Sequence, residues 1–175
     1  EKGFTLIESL VAAGVFAIAM TSIVGIYVSV QRLNQRSAAL GAIAQNARFV
    51  HEDLTKFIAN GTVDYGRYPD NRVPQPSANE LLLFDKDGNQ VRIWETNGAL
   101  RIRKGGSVTD YTGGNVQVVT FRVYITPATD PFPVRGGSPR EQPTVTVFLD
   151  LEANLGSRDR VRQSFQTTVA TRQYP

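Results

Sequence analysis

The sequence predicts an α+β fold in which one long N-terminal helix packs on an antiparallel β-sheet head. Three observations predict it. An apolar run from Ser9 to Val30 carries no charge and passes without a break into a helical pattern that reaches Asn60. The helical period vanishes at Gly61. From Glu80 onward, short alternating apolar segments are separated by turn residues, the pattern of an antiparallel meander.

The first element is the apolar run. Phe4 to Val30 supplies the roughly 20 apolar residues that a bilayer-spanning helix needs, and Gln31-Arg32 ends it. No small-residue cleavage site follows, as a cleaved secretory signal requires. One acid, Glu8, sits near the start of the run. A charged side chain at the centre of a bilayer costs roughly 2.5–3.5 kcal/mol on insertion scales, so Glu8 calls for a role. Lys2 precedes the run and Arg32 and Arg36 follow it, a charge pattern that does not fix an orientation. No proline occurs before Pro69. Gly14, Gly25 and Gly41 are the weak points, at about 1 kcal/mol each relative to alanine, and Gly14 and Gly25 are where the helix is expected to give.

The second half of the helix is amphipathic. Leu40, Ile43, Ala47, Val50, Leu54 and Phe57 recur at steps of three and four, one apolar stripe expected to lie on the head. Asn60-Gly61 is the expected stop, since both residues tolerate the left-handed conformation. The heptad run is too short, and its seam residues too small, for a stable coiled coil. His51, the single histidine, lies at the edge of the stripe and is assigned a packing or hydrogen-bonding role.

In the head, Thr62 to Asn79 reads as a long loop rich in Pro, Gly, Tyr and Asn. Glu80–Asp85 and Gln90–Glu95 flank a turn at Lys86-Asp87-Gly88-Asn89, and Asn97-Gly98 turns the chain into Ala99–Lys104. Val119, Phe121, Val123 and Ile125 are placed on one face of the next strand, and Val145, Val147, Leu149 and Leu151 on one face of another. Val161 to Arg172 is the last strand. Between them Thr126 to Pro143 is a second long loop, whose five prolines forbid regular pairing.

Composition narrows the chemistry. The chain has 175 residues, a net charge of +3 and no cysteine, which removes disulfides and thiolate metal sites. Two basic groups, Arg101, Arg103 and Lys104, and Arg158, Arg160 and Arg162, are spaced like outward strand faces. A solvated face is the plain reading; a nucleic-acid patch is the alternative. Asp85-Lys86-Asp87-Gly88-Asn89 has the look of a calcium loop, but its glycine comes too early and no glutamate stands at position twelve. Asn60-Gly61-Thr62 matches a glycosylation acceptor and more simply ends the helix. No phosphate-cradling loop, nucleophile elbow or metal cluster is present in the sequence, so neither an enzyme nor a cofactor is expected.

Lys2-Gly3-Phe4-Thr5-Leu6-Ile7-Glu8 resembles the class III signal of type IV pilins and of type II secretion pseudopilins. The resemblance implies cleavage by a prepilin peptidase between Gly3 and Phe4 on the cytoplasmic side, and methylation of the new amine of Phe4. It implies that Glu8 meets the N-terminal amine of a neighbouring subunit during assembly, a buried carboxylate tolerated because a cation pairs with it. Many pilin relatives carry a proline in this helix, and this chain departs from them. Residues 44–54, Ala-Gln-Asn-Ala-Arg-Phe-Val-His-Glu-Asp-Leu, and Phe165-Gln166-Thr167-Thr168-Val169 resemble minor pilins of the W class and pseudopilins of the J class, over short stretches. The implied organisation is a leader remnant at 1–3, a transmembrane or filament-core helix at 4–31, an amphipathic half at 32–60 and a β-rich head at 61–175. The implied function is a structural subunit, minor rather than major, of a pilus or pseudopilus. Its partners are other pilin subunits, the peptidase/methyltransferase and, before assembly, the inner membrane. The final location is a periplasmic pseudopilus or an extracellular pilus. The alternative is an adhesin or DNA-binding minor pilin that uses the head loops and the basic strand faces.

Overall fold

The computed structural model describes residues 5–113, 116–131, 141–154 and 160–171. Helix α1 runs over Leu6–Ala59. Eight strands follow among the described residues: β1 (Thr62–Val63), β2 (Glu80–Phe84), β3 (Gln90–Thr96), β4 (Ala99–Lys104), β5 (Ser107–Asp110), β6 (Val116–Thr126), β7 (Thr144–Asn154) and β8 (Arg160–Ala170). The fold is α+β and pilin-like, one long helix with antiparallel sheets. The chain divides into two compact units, Glu1–Ala38 and Ala39–Pro175.

In the first unit every described residue is exposed. Its helix is long and apolar enough to cross a membrane. The 25 residues from Leu6 to Val30 rise about 37 Å at 1.5 Å per residue, enough for a hydrocarbon core of about 30 Å.

The second unit holds the core. Ala39, Ile43, Ala47, Val50, Leu54 and Ile58 form the buried face of α1. The expected stripe is therefore corrected at its ends. Leu40 is 40% exposed, and Ile58, not Phe57, is fully buried, although Phe57 still packs on the edge of the core. The buried face advances by steps of four, four, three, four and four, so it differs from the expected stripe at its two ends only. The helix ends where expected, but for another reason. Neither Asn60 nor Gly61 is left-handed. Gly61 is required by space: a Cβ there would lie 2.5 Å from the Phe57 carbonyl oxygen and 2.6 Å from that of Phe84.

The head contains two antiparallel sheets where one meander was expected. The first has the order β1-β2-β3-β4-β5 and the second β6-β7-β8. Length sorts them. The strands β6, β7 and β8 have eleven residues each and pair with one another, and the strands of two to seven residues pair among themselves. The sheets are stitched along β6, where Ala78 and Val123 exchange amide–carbonyl bonds of 2.8 and 2.9 Å and the Val118 amide donates to Gly98 at 2.8 Å. Leu81, Leu83, Val91, Ile93, Leu100 and Ile102 turn inward from the first sheet, and Val145, Val147, Leu149 and Leu151 from the second.

The turns explain the registers. Asn97 and Gly98 both have positive φ, as the tight hairpin between β3 and β4 requires. Gly105-Gly106 makes the same kind of turn into β5, a hairpin not anticipated although Gly-Gly is a known signal for it. In β6 a bulge between Val118 and Thr120 breaks the alternation. Val116 and Val118 are buried with Phe121, Val123 and Ile125, while Val119 is 44% exposed, which corrects its placement on the inner face. The segment 62–79 is also more ordered than a loop. It contains β1 and two 3-10 turns, Tyr65–Arg67 and Pro69–Asn71, and it buries Val63, Tyr65, Tyr68, Val73 and Ala78. Phenol hydroxyls hold it in place: Tyr65 donates to the Pro127 carbonyl at 3.0 Å, and Tyr68 bonds Glu80 and Leu82 at 3.1 Å each.

Candidate functional site

The site begins at the first turn of α1. Thr5 precedes the helix and Glu8 is its third residue. The Thr5 amide and hydroxyl both donate to Glu8 Oε2 at 2.9 Å, and the Glu8 amide donates back to Thr5 Oγ1 at 3.3 Å. This is a capping box. Its signature, Thr-x-x-Glu ahead of an apolar run, stands in the sequence at Thr5-Leu6-Ile7-Glu8. In lipid no water satisfies the free amides of a first helical turn, so this carboxylate has a local task besides any contact with a partner.

The remaining polar groups of the apolar segment are also satisfied internally. Thr21, Ser22 and Ser29 donate to the carbonyls of Ala17, Ile18 and Gly25 at 2.8–2.9 Å, and Ser9 to that of Thr5 at 3.4 Å. Gln31 reaches back to the Tyr27 hydroxyl at 3.2 Å. What the segment presents outward is apolar: Leu10 is 69% exposed, Ile18 71% and Phe16 61%. Each such side chain left in water forgoes about 1–2 kcal/mol of the 1.5–3 that full burial returns. With more than a dozen of them, the sum reaches or passes the roughly 5–15 kcal/mol that holds a typical domain together. This surface must be covered by lipid or by other chains.

The helix is continuous through Gly14 and Gly25, and a Cβ at either would meet nothing within 4 Å. Local packing therefore does not demand glycine at these positions. Gly3 and Phe4, the expected cleavage pair, lie outside the described residues.

The described polar groups of the head serve its turns and strands. Asp85 caps its hairpin, accepting the amides of Asp87 and Asn89 at 2.9 and 2.8 Å and pairing with Lys104 at 3.0 Å. Burial pushes its carboxyl up, but these donors together outweigh that and hold it down at about 2. No group of three His, Asp or Glu is placed to share a metal among the described residues. His51 bonds Thr167 at 3.1 Å. The basic strand faces are largely neutralised: Arg101 pairs with Asp110 at 2.7 Å, Arg160 with Glu152 at 3.1 Å and Arg162 with Asp150 at 2.5 Å. Arg158 lies outside the described residues.

Among the described residues, the apolar segment Leu6–Val30, opened by the capped Glu8, is exposed throughout. Residues 1–24 match the family model of the prokaryotic N-terminal methylation motif. Comparison with curated proteins and with solved structures finds no match. The methylation motif covers the capping box and most of the apolar segment. It supports a type IV pilin-like or pseudopilin subunit, processed by prepilin peptidase and assembled with other pilin subunits. An apolar N-terminal helix behind such a signal is consistent with inner-membrane anchoring before assembly.

Proposed function

We propose that this chain is a structural, non-enzymatic subunit, minor and of the W or J kind, of a type IV pilus or type II secretion pseudopilus. It is cut between Gly3 and Phe4 and assembled through α1. The observation that carries the reading is an apolar segment of α1, Leu6–Val30, whose large side chains are all exposed and whose single acid, Glu8, sits at the first turn, under a methylation motif. The segment lives first in the bilayer and then in a bundle of like helices, both of which cover the same apolar surface. Both Thr5 donors fall on Oε2 of Glu8, so we assign Oε1 to the amine of Phe4 on a neighbouring subunit. Gly14 and Gly25 stand in for the absent proline as the points where the helix gives on leaving the membrane. The W or J assignment rests on the short likenesses at residues 44–54 and 165–169 and on a head with long connecting segments.

The test is mass spectrometry of the protein purified from a host that carries the peptidase. The expected N-terminus is methylated Phe4, and any other mature N-terminus refutes the reading. The adhesin or DNA-binding alternative gains little support, because the cations it would use are mostly ion-paired.

A further inference from the structure

One cluster of cations on the head is not neutralised by its own acids. Arg92 and Arg103 stand directly opposite each other in the β3–β4 register. Like charges in that relation repel and weaken a sheet. Their guanidinium carbons lie 4.8 and 5.7 Å from the centre of the same Trp94 ring, which attracts cations but supplies no countercharge. Glu80 holds Arg92 at 2.5 Å. Arg103 has no carboxylate within ion-pair distance among the described residues, and neither has Arg67.

These three arginines converge. Arg67, on the 3-10 turn anchored by buried Tyr65 and Tyr68, lines with Arg92 and Arg103 an open cleft of about 400 Å³. Gly88, Asn89 and Gln90 from one hairpin and Gly105-Gly106 from the next complete its lining. No carboxylate lines it. Three positive charges from three chain segments thus face one concavity, with two acids beside them, Glu80 on Arg92 and Asp64 near Arg67.

We propose that this cleft binds a single phosphate- or sulfate-class oxyanion, free or as the terminal group of an ester, held by Arg67, Arg92 and Arg103. Planar guanidinium forks match oxyanion geometry, and a bound dianion would relieve the repulsion between Arg92 and Arg103. The unpaired charge is concentrated at one point rather than strung along a polymer track. The neighbouring Arg101, Lys86 and Lys104 are already paired with Asp110, Asp87 and Asp85, so a nucleic acid would find unpaired charge for about one phosphate.

Trp94 is the single tryptophan of the chain and reports on the site directly. The full chain in an uncharged detergent is titrated with inorganic phosphate, sulfate and glycerol 3-phosphate at constant ionic strength set by chloride. The expected result is a saturable change in Trp94 emission that chloride does not produce. R103Q and R67Q each weaken binding by at least about tenfold, the scale of one lost charge-assisted hydrogen bond, and R101Q does not. Glycerol 3-phosphate binding about tenfold tighter than phosphate identifies an ester as the source, and equal binding the free anion. Thermal melts by circular dichroism check that the variants fold, and R67Q, outside the sheet, serves if R103Q does not. The proposal is overturned by the absence of a saturable change, or by affinities unaltered in folded R67Q and R103Q. It is equally overturned by a DNA oligonucleotide that binds more tightly than either phosphate and depends on Arg101 as well.

Discussion

Replacing Asp85 with asparagine removes one charge from a nearly closed polar site while keeping its shape. The Asp85 side chain is 5% exposed, so its ion pair with Lys104 and the two turn amides it accepts are little screened by water. Lowering a carboxyl from its ordinary 3.8 to about 2 on folding is worth about 2 kcal/mol of stability. The sign follows from the direction. A group whose folded value is depressed contributes fully above its unfolded value and loses that contribution as pH falls through the folded one. D85N is therefore expected to be about 2 kcal/mol less stable than the parent near neutral pH, with the gap closing between about pH 4 and pH 2. The assay is urea unfolding of residues 32–175, which contain every buried core residue, followed by Trp94 fluorescence from neutral to acid pH. A gap that stays constant down to about pH 2 would refute the electrostatic reasoning and point to altered turn geometry. A gap near zero at neutral pH would show that the charge is solvated after all.

Two further outcomes follow from close packing in the head. Gly61→Ala forces a Cβ to within 2.6 Å of two carbonyl oxygens, so a loss of about 3 kcal/mol or more, or failure to fold, is expected in the same unfolding assay. A loss below about 1 kcal/mol would show that the junction between α1 and β1 yields easily. Tyr68→Phe leaves the buried Leu82 amide without its acceptor and should cost about 1–3 kcal/mol, with faster hydrogen exchange at Leu82 as the specific signature.

The features set by local chemistry were legible in the sequence. The apolar run, the Asn97-Gly98 hairpin and the alternation of β7 each rest on residue types at fixed spacing, and each stands in the structure where expected. The capping role of Glu8 is equally local, carried by Thr5 three residues before it. What failed to show depended on partners distant in the chain. Tyr65 and Tyr68 looked like loop residues because the groups that bury them, at Pro127, Glu80 and Leu82, lie 12 to 62 residues away.

By itself, then, the sequence determined where the helix starts and stops, that its first half must be covered by lipid or by other chains, and that Glu8 opens it. These are properties of consecutive residues. The tertiary structure decided that the head is two sheets, that the β6 bulge turns Val119 outward, and that Gly61 is there for space and not for a left-handed turn. It also decided which cations are spent on ion pairs and which are left. Arg101 and Arg103 are two residues apart on one strand and indistinguishable in the sequence. Only the pairing of β4 with β5 gives Arg101 its aspartate, and only the fold of the 65–71 segment brings Arg67 beside Arg103.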